Sequence, residues 1–169
     1  AKATGDSSVA IGRNAEATAL ASTASGYLSC ATFAGSTAVG YCTFATALGA
    51  SAFGWCSCAT GDCSTAVGRK SCASNYASTA VGWLSNATGG YSIAIGGNST
   101  CAFGWKSSAF GYGAKASGGC SISIGGNSNS TASLAVGYSS YAGADRAMAI
   151  GWDTDATSLN STAIGPQAK

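Results

Sequence analysis

The residues that most often carry out catalysis are scarce in this sequence. Of its 169 residues, six are Asp or Glu, eight are Lys or Arg, and none is His. Asp153 and Asp155 could hold a cation, although two acids so close in sequence are more typical of a solvated loop. Because no His is available as a general base or metal ligand, we expect no enzymatic activity, no cofactor and no metal site.

Thiols are the most abundant reactive groups in the chain. The eight cysteines are Cys30, Cys42, Cys56, Cys58, Cys63, Cys72, Cys101 and Cys120. Cys56 and Cys58 are separated by one residue, whereas redox and zinc pairs have two residues between them. The pairs Cys42/Cys56 and Cys58/Cys72 recur 14 residues apart and are predicted to be neighbours at a distance that permits a disulfide. We favour the alternative, in which Cys is a small apolar filler with a free thiol.

Aromatic residues recur directly after a glycine. This aromatic file comprises Tyr27, Tyr41, Trp55, Trp83, Tyr112, Tyr138 and Trp152. Arg13, Arg69, Gly97 and Gly126 are assigned to the same position. A row of exposed rings could bind a glycan, because apolar sugar faces suit flat aromatic surfaces. In the interpretation that we favour, the rings stack on each other or on a neighbouring chain and shield a corner of the fold.

These residues are carried by a repeat that runs through the whole chain. Ser-Thr-Ala-Val-Gly stands at residues 36–40, 64–68 and 78–82, and variants occur elsewhere. The closing glycines recur every 14 residues from Gly12 to Gly96, and then at intervals of 15, 14, 12, 14 and 14 up to Gly165. Such a period predicts a β-solenoid of about 14-residue coils that spans residues 1–169 as one segment. The irregular intervals predict a loop insertion in residues 92–106 and a shortened corner in residues 121–132.

Each coil is predicted to contain two short strands of about four or five residues. The turns between them are rich in Gly, Asn, Ser and Asp, which tolerate left-handed backbone. Strand alternation places the constant Ala residues of both strands inside a flat roll. The opposite side of the first strand then carries a bulky file of Ile11, Val39, Phe53, Val67, Val81, Ile95, Phe110, Ile124, Val136, Ile150 and Ile164. An exposed apolar strip needs cover, which two further copies of the chain around a common axis would supply; the inverted arrangement, with Ile and Val inside, stays open.

The opposite side of the second strand is predicted to face solvent. It carries Thr18, Thr32, Thr46, Thr60, Ser74, Thr88 and Thr157. Regular Thr on a flat solenoid face is compatible with ice binding. The position two residues earlier is assigned to Glu16, Cys30, Phe44, Cys58, Cys72, Asn86, Thr100, Lys115, Asn129, Tyr141 and Asp155. Bulky and charged groups there make a rough face, which disfavours that function.

Composition excludes several other classes of protein. The net charge is +2 and the basic residues are scattered, so we expect no nucleic-acid partner. No apolar run approaches the roughly 18 residues of a membrane span, so we expect no membrane insertion by this segment. Apolar residues make up 46% of the chain and follow the repeat, which argues against disorder. The sequence opens and closes within the pattern, and we expect it to be one segment of a longer fibre.

The repeat Ser8-Val9-Ala10-Ile11-Gly12, with its weaker second half, resembles the head repeats of trimeric autotransporter adhesins of the YadA type. Similar repeats occur in virus and phage fibres. The resemblance covers essentially the whole chain and implies a left-handed parallel β-roll, a homotrimer, and attachment to a host receptor or glycan from an extracellular surface. The many cysteines depart from the bacterial pattern, because export through an oxidising periplasm would risk mispairing. This departure favours a virion fibre, and a rigid spacer without a ligand is the alternative function.

Overall fold

The computed structural model describes residues 1–169 as an all-β, parallel β-solenoid. The chain forms two compact units, Ala1–Leu84 (unit 1) and Ser85–Lys169 (unit 2). No helix is long and apolar enough to cross a membrane. The all-β solenoid predicted from the repeat is therefore confirmed.

Unit 1 is built from very short strands that follow one another along the chain. They are β1 (Lys2–Ala3), β2 (Val9–Ile11), β3 (Glu16–Ala17), β4 (Thr23–Ser25), β5 (Cys30–Ala31), β6 (Thr37–Tyr41), β7 (Phe44–Ala45), β8 (Ser51–Trp55), β9 (Cys58–Ala59), β10 (Thr65–Val67), β11 (Cys72–Ala73) and β12 (Thr79–Val81). Even-numbered strands pair with even-numbered ones and odd with odd, always in parallel. Each even strand is the first strand of a coil, and the odd strand after it is the second.

Unit 2 repeats the same alternation. Its strands are β13 (Asn86–Ala87), β14 (Ile93–Ile95), β15 (Cys101–Ala102), β16 (Ser108–Phe110), β17 (Lys115–Ala116), β18 (Ile122–Ile124), β19 (Asn127–Ser128), β20 (Leu134–Val136), β21 (Tyr141–Ala142), β22 (Met148–Ile150), β23 (Asp155–Ala156) and β24 (Thr162–Ile164). Here too the first strands pair in parallel with first strands, and the second strands with second strands.

Alanine fills the interior of both units. Ala66 pairs with Ala52 and Ala80 on the first strands, and Ala59 pairs with Ala73 on the second strands. These residues are completely buried. Because the side chain of Ala is the smallest that still excludes water, the two sheets approach closely and the roll stays flat. The predicted inward position of Ala is confirmed, and the inverted arrangement with Ile and Val inside is wrong.

Two details of the coil differ from the sequence prediction. Most strands contain two or three residues instead of four or five; only β6 and β8 reach five. The left-handed corner positions are also not limited to Gly, Asn, Ser and Asp, since Leu28 and Lys70 have φ values of 53° and 55°. Each donates its backbone N–H to a carbonyl of the preceding coil, Arg13 O for Leu28 and Trp55 O for Lys70. This bond holds the left-handed conformation in residues that rarely adopt it.

The closing glycines are required because neighbouring coils touch there through their backbones. A Cβ atom on Gly40 would lie 1.9 Å from the carbonyl oxygen of Gly54, and the φ of Gly40 is 134°. Only glycine tolerates both the contact and the backbone conformation. The periodic glycine that reveals the repeat in the sequence is therefore the residue that permits coils to stack.

Both predicted irregularities lie in unit 2. Ile95 pairs with Phe110, which places one extra residue in the turn that contains Gly97, Asn98 and Ser99. Ile124 pairs with both Phe110 and Val136, whereas Lys115 pairs with Asn127. The corner after Ile124 is therefore Gly125–Gly126 alone, two residues shorter than its neighbours. The insertion and the shortened corner are confirmed.

Candidate functional site

The bulky file lies on the outer face of the first strands, where a single chain leaves it partly in water. Ile11 and Ile164 are 60% and 65% exposed, and Ile124 is 46% exposed. The other members of the file are less exposed than these three, and most of them are half-buried. An apolar strip of this length on the surface of a chain is typical of an interface.

A second column of outward side chains lies beside the bulky file, two residues earlier on each first strand. In unit 1 this column is polar except for Val9, with Thr23, Thr37, Ser51, Thr65 and Thr79. In unit 2 it is largely apolar, with Ile93, Ile122, Leu134 and Met148. This column was not predicted from the sequence, although the two-residue alternation of a strand was enough to find it. The apolar strip is thus one residue wide in unit 1 and mostly two residues wide in unit 2.

Three members of the aromatic file of unit 1 form a stack, whereas the fourth, Trp83, is 47% exposed and contacts no other ring. Tyr27 and Tyr41 are stacked with centroids 5.0 Å apart, and Trp55 meets Tyr41 edge-on at 6.1 Å. Guanidinium groups cover the outer rings: Arg13 lies 5.8 Å from the Tyr27 centroid and Arg69 lies 4.4 Å from that of Trp55. Each of these rings is therefore contacted by a neighbouring ring or by an arginine, in geometries that favour both types of contact. They leave less free ring surface to a ligand than an isolated ring does.

The aromatic file of unit 2 is not stacked. Tyr112 and Tyr138 are 74% and 75% exposed, and Trp152 is 53% exposed. None of the three makes a ring contact. Gly97 occupies the file position before Tyr112, so no ring stands there. The carbonyl of Gly97 accepts a hydrogen bond from the N–H of Gly113, as the carbonyls of other file members do from the following corner. Gly126 was predicted to belong to this file, and that assignment is wrong: it directly precedes Asn127 of β19, and the shortened corner contributes no residue to the file.

Two thiol pairs stand where the sequence predicted neighbours. Cys58 and Cys72 are Cα partners on β9 and β11. The Cys58 thiol donates to Cys72, which lowers the pKa of Cys72 to about 7 and raises the pKa of Cys58. Cys42 and Cys56 also contact one another, and burial together with the Cys56 thiol raises the pKa of Cys42. All eight cysteines carry free thiols in this structure.

An open groove in unit 1 has a volume of about 400 Å³ and is lined by Asn14, Glu16, Leu28, Ser29, Cys30, Cys42 and Phe44. Burial and the charge of Glu16 raise the pKa of Cys30, which disfavours the nucleophilic thiolate form. No three acidic or Cys side chains cluster closely enough to hold a metal ion. The groove therefore lacks an activated nucleophile and a metal-binding set.

The outer face of the second strands is rough. Two positions in this face were misassigned from the sequence: Cys101 and Asn127 occupy it, in place of Thr100 and Asn129. Thr100 is instead fully buried. The error has a single cause, since the extra residue and the shortened corner both lie between the first and second strands of their coils. Phe44 and Lys115 project from the same face as exposed side chains, so it presents no flat array of Thr.

The repeat that builds these surfaces matches a known family along most of the chain. The family described as "YadA head domain repeat (2 copies)" matches residues 3–29, 59–85, 73–99, 106–128, 128–154 and 156–169. The chain belongs to this family. No curated protein sequence matches it.

Membership makes the chain an adhesin-type head segment of a trimeric-autotransporter-like surface fibre, and it confirms the predicted resemblance to YadA head repeats. The largest stretch that the family does not match is residues 30–58. That stretch contains both five-residue strands, the Cys42/Cys56 pair, and the Tyr41–Trp55 ring contact. The longest departure from the family's repeat therefore coincides with the part of unit 1 in which the rings and thiols are concentrated.

Proposed function

We propose that this chain is part of a non-enzymatic homotrimeric fibre that attaches its bearer to a host surface through a receptor or glycan. The proposal rests above all on the bulky file. A single roll has no interior in which to place Ile11, Ile124 or Ile164, because its interior is filled with Ala. Two further copies around a common axis would remove these side chains from water.

Three chains would also explain how a roll with shallow surfaces achieves attachment. A trimer presents every outer surface of the chain three times, so it multiplies each weak contact by three. Linked weak contacts raise the overall affinity by about 10²- to 10⁴-fold without any deep pocket. The rings of the aromatic file that contact no other ring are the ligand-binding residues in this proposal: Trp83, Tyr112, Tyr138 and Trp152.

The thiols favour a virion fibre over a bacterial one. Eight free cysteines, several of them in contact, are compatible with folding in a reducing compartment. In an oxidising compartment, neighbouring thiols such as Cys42 and Cys56 would form competing disulfides. The proposed location is the outer surface of a particle assembled in a cytoplasm.

Attachment is tested by binding of the labelled full chain to host cells, in comparison with a variant that cannot assemble. Val67→Asp together with Ile124→Asp places charges in the bulky file and leaves the aromatic file intact. We expect the parent chain to bind and the variant to bind at least about 100-fold more weakly, because avidity is lost. A trimer that binds no cell surface would instead identify a rigid spacer, and equal binding by both proteins would refute the role of assembly.

A further inference from the structure

The shortened corner of unit 2 leaves a notch in the row of corners. In other coils, two residues follow the closing glycine, as Tyr112 and Gly113 follow Gly111, and Tyr138 and Ser139 follow Gly137. In the coil between them, Gly125 is followed at once by Gly126 and β19. Both residues that would form the corner are missing, and so is the ring position.

The walls of the notch are the two most exposed rings in the aromatic file. Tyr112 and Tyr138 are 74% and 75% exposed, and neither contacts another ring. Phe110 and Val136 are both Cα partners of Ile124, so the two tyrosines are two strand steps apart. With about 4.8 Å for each step, the gap between the walls is about 10 Å.

The notch also interrupts a row of backbone hydrogen bonds. At regular corners, the second residue donates its N–H to the first residue of the preceding corner, for example Cys42 N to Tyr27 O at 2.8 Å and Asp153 N to Tyr138 O at 3.0 Å. At the notch, the carbonyl oxygen of Tyr112 accepts no hydrogen bond and the N–H of Ser139 donates none. One wall thus offers a free acceptor and the other a free donor, both at the surface.

The floor of the notch is held in place by contacts found in no other coil. This coil has Ser123 and Ser128 at its inward positions instead of Ala, and both are fully buried. The Ser123 hydroxyl donates to the carbonyl of Gly126, and the Ser128 hydroxyl donates to the carbonyl of Ile122. A Cβ atom on Gly126 would lie 2.6 Å from the backbone carbonyl oxygen of Ser140, so glycine is required for this close approach. The notch is a fixed part of the fold.

We infer that this notch is a binding site for one neutral pyranose unit of a glycan, held between Tyr112 and Tyr138. A pyranose has two apolar C–H faces and an edge of hydroxyl groups that both donate and accept. Carbon contacts of about 4 Å on each side, together with the pucker of the sugar ring, fill a gap of about 10 Å. A planar aromatic ligand would need only about 7 Å and would leave one wall without contact.

The hydroxyl edge would meet the free backbone groups of the notch. The Tyr112 carbonyl accepts from one hydroxyl, and the Ser139 N–H donates to another. No charged side chain belongs to the walls or the floor, which is why the site suits a neutral sugar. The site deepens the proposed attachment function, on which it rests, by naming the ligand class and the place.

The test is a panel of immobilised glycans that end in neutral pyranoses, probed with the full chain and three variants. In the first, Tyr112→Ala and Tyr138→Ala are combined to remove the walls. In the second, Tyr-Ser is inserted between Gly125 and Gly126, which restores a regular corner and fills the notch. The third, Tyr41→Ala, removes a stacked ring of unit 1 and is the matched control.

We expect the parent chain and Tyr41→Ala to bind the same glycans, and the other two variants to bind at least about tenfold more weakly. Circular dichroism shows whether each variant keeps its β structure, and the filled-notch variant is expected to be at least as stable as the parent because it regains its corner hydrogen bonds. Glycan binding that survives in the filled-notch variant would overturn the site but leave attachment intact. Absence of glycan binding by the parent chain would overturn the sugar assignment, while cell binding by that chain would still support attachment.

Discussion

Units 1 and 2 are built from the same coil, yet they expose different surfaces. In unit 1 most of the aromatic file is stacked: Tyr41 contacts both Tyr27 and Trp55, arginines cover the two ends of this stack, and only Trp83 stands apart. In unit 2 the corresponding rings stand apart. Tyr112 has no neighbouring ring, because Gly97 precedes it in the file and the notch follows it. Tyr138 borders the notch on one side, and on the other side Trp152 lies one coil away without a ring contact. A solenoid can therefore gain a candidate ligand site by losing two residues.

The first prediction tests the difference between the two units by substituting one closing glycine in each. Gly40→Ala in unit 1 places a Cβ atom 1.9 Å from the Gly54 carbonyl oxygen, and backbone cannot yield without separating the coils. We expect a loss of about 3 kcal/mol or more. Hydrogen exchange measured by mass spectrometry should show that unit 1 opens.

The matched control is Gly111→Ala, beside the notch. Its Cβ atom would lie 3.5 Å from the nearest backbone atom, and only its φ of 105° is unfavourable. We expect a cost of about 1–2 kcal/mol from backbone strain. Equal losses of stability for the two substitutions would contradict the interpretation that neighbouring coils are less closely packed beside the notch.

The second prediction exchanges residue types between the two units in the second column of outward side chains on the first strands. Ile122→Thr narrows the apolar strip of unit 2, and Thr65→Ile widens that of unit 1. If the strip is the trimer contact, the first change should weaken assembly and the second strengthen it, each by about 1 kcal/mol per chain. Sedimentation over a dilution series measures both, and a shift in the same direction for both variants would exclude the strip from the contact.

The third prediction compares a stacked ring with an isolated one. Trp55→Ala removes the edge contact to Tyr41 and the contact with Arg69, so we expect a loss of about 1–2 kcal/mol. Trp152→Ala removes no ring contact and should change the free energy of unfolding by no more than about 0.5 kcal/mol. Denaturant titration measures the free energy of unfolding of both variants. A larger loss for Trp152→Ala than for Trp55→Ala would show that the exposure of a ring does not indicate its contribution to stability.

The smallest expected effect is chemical and is confined to unit 1. Because the pKa of Cys72 is lowered to about 7, its thiolate fraction should rise through neutral pH, and maleimide labelling should be half-maximal near that value. Below this pH the thiol is protonated and labelling slows. Cys58→Ala removes the donor beside Cys72 and should move the midpoint upward. Peptide mapping identifies the labelled position, and an unchanged midpoint in Cys58→Ala would show that Cys58 does not lower the pKa of Cys72.

Much of the fold could be predicted because the repeat constrains it. A glycine every 14 residues fixes which residues pair, and Ala at each inward position fixes the faces, so the pairing of Ala66 with Ala80 followed from spacing alone. The length of the strands could not be predicted, since their ends depend on corner hydrogen bonds such as Leu28 N to Arg13 O. The irregular coils were located correctly, but spacing did not reveal on which side of β15 and β19 the length changed.

The candidate site could be predicted only as a set of positions. The sequence places the rings of unit 1 one coil apart, which makes a stack possible, and it placed Gly126 in the same file. Whether a ring is stacked or isolated depends on its neighbours in space, and Tyr41 and Tyr112 are equivalent in sequence but differ in this respect. The free carbonyl of Tyr112 likewise results from the missing corner, and no residue type in the sequence predicts it.

The mass of the assembly in solution tests the central claim most directly. Native mass spectrometry of the full chain, 16.3 kDa per copy, should give a particle of three chains that falls apart when Val67→Asp and Ile124→Asp are introduced. That result would place the bulky file at the contact between copies. A stable, monodisperse single chain would contradict the account, because Ile11, Ile124 and Ile164 would then have no partner that removes them from water.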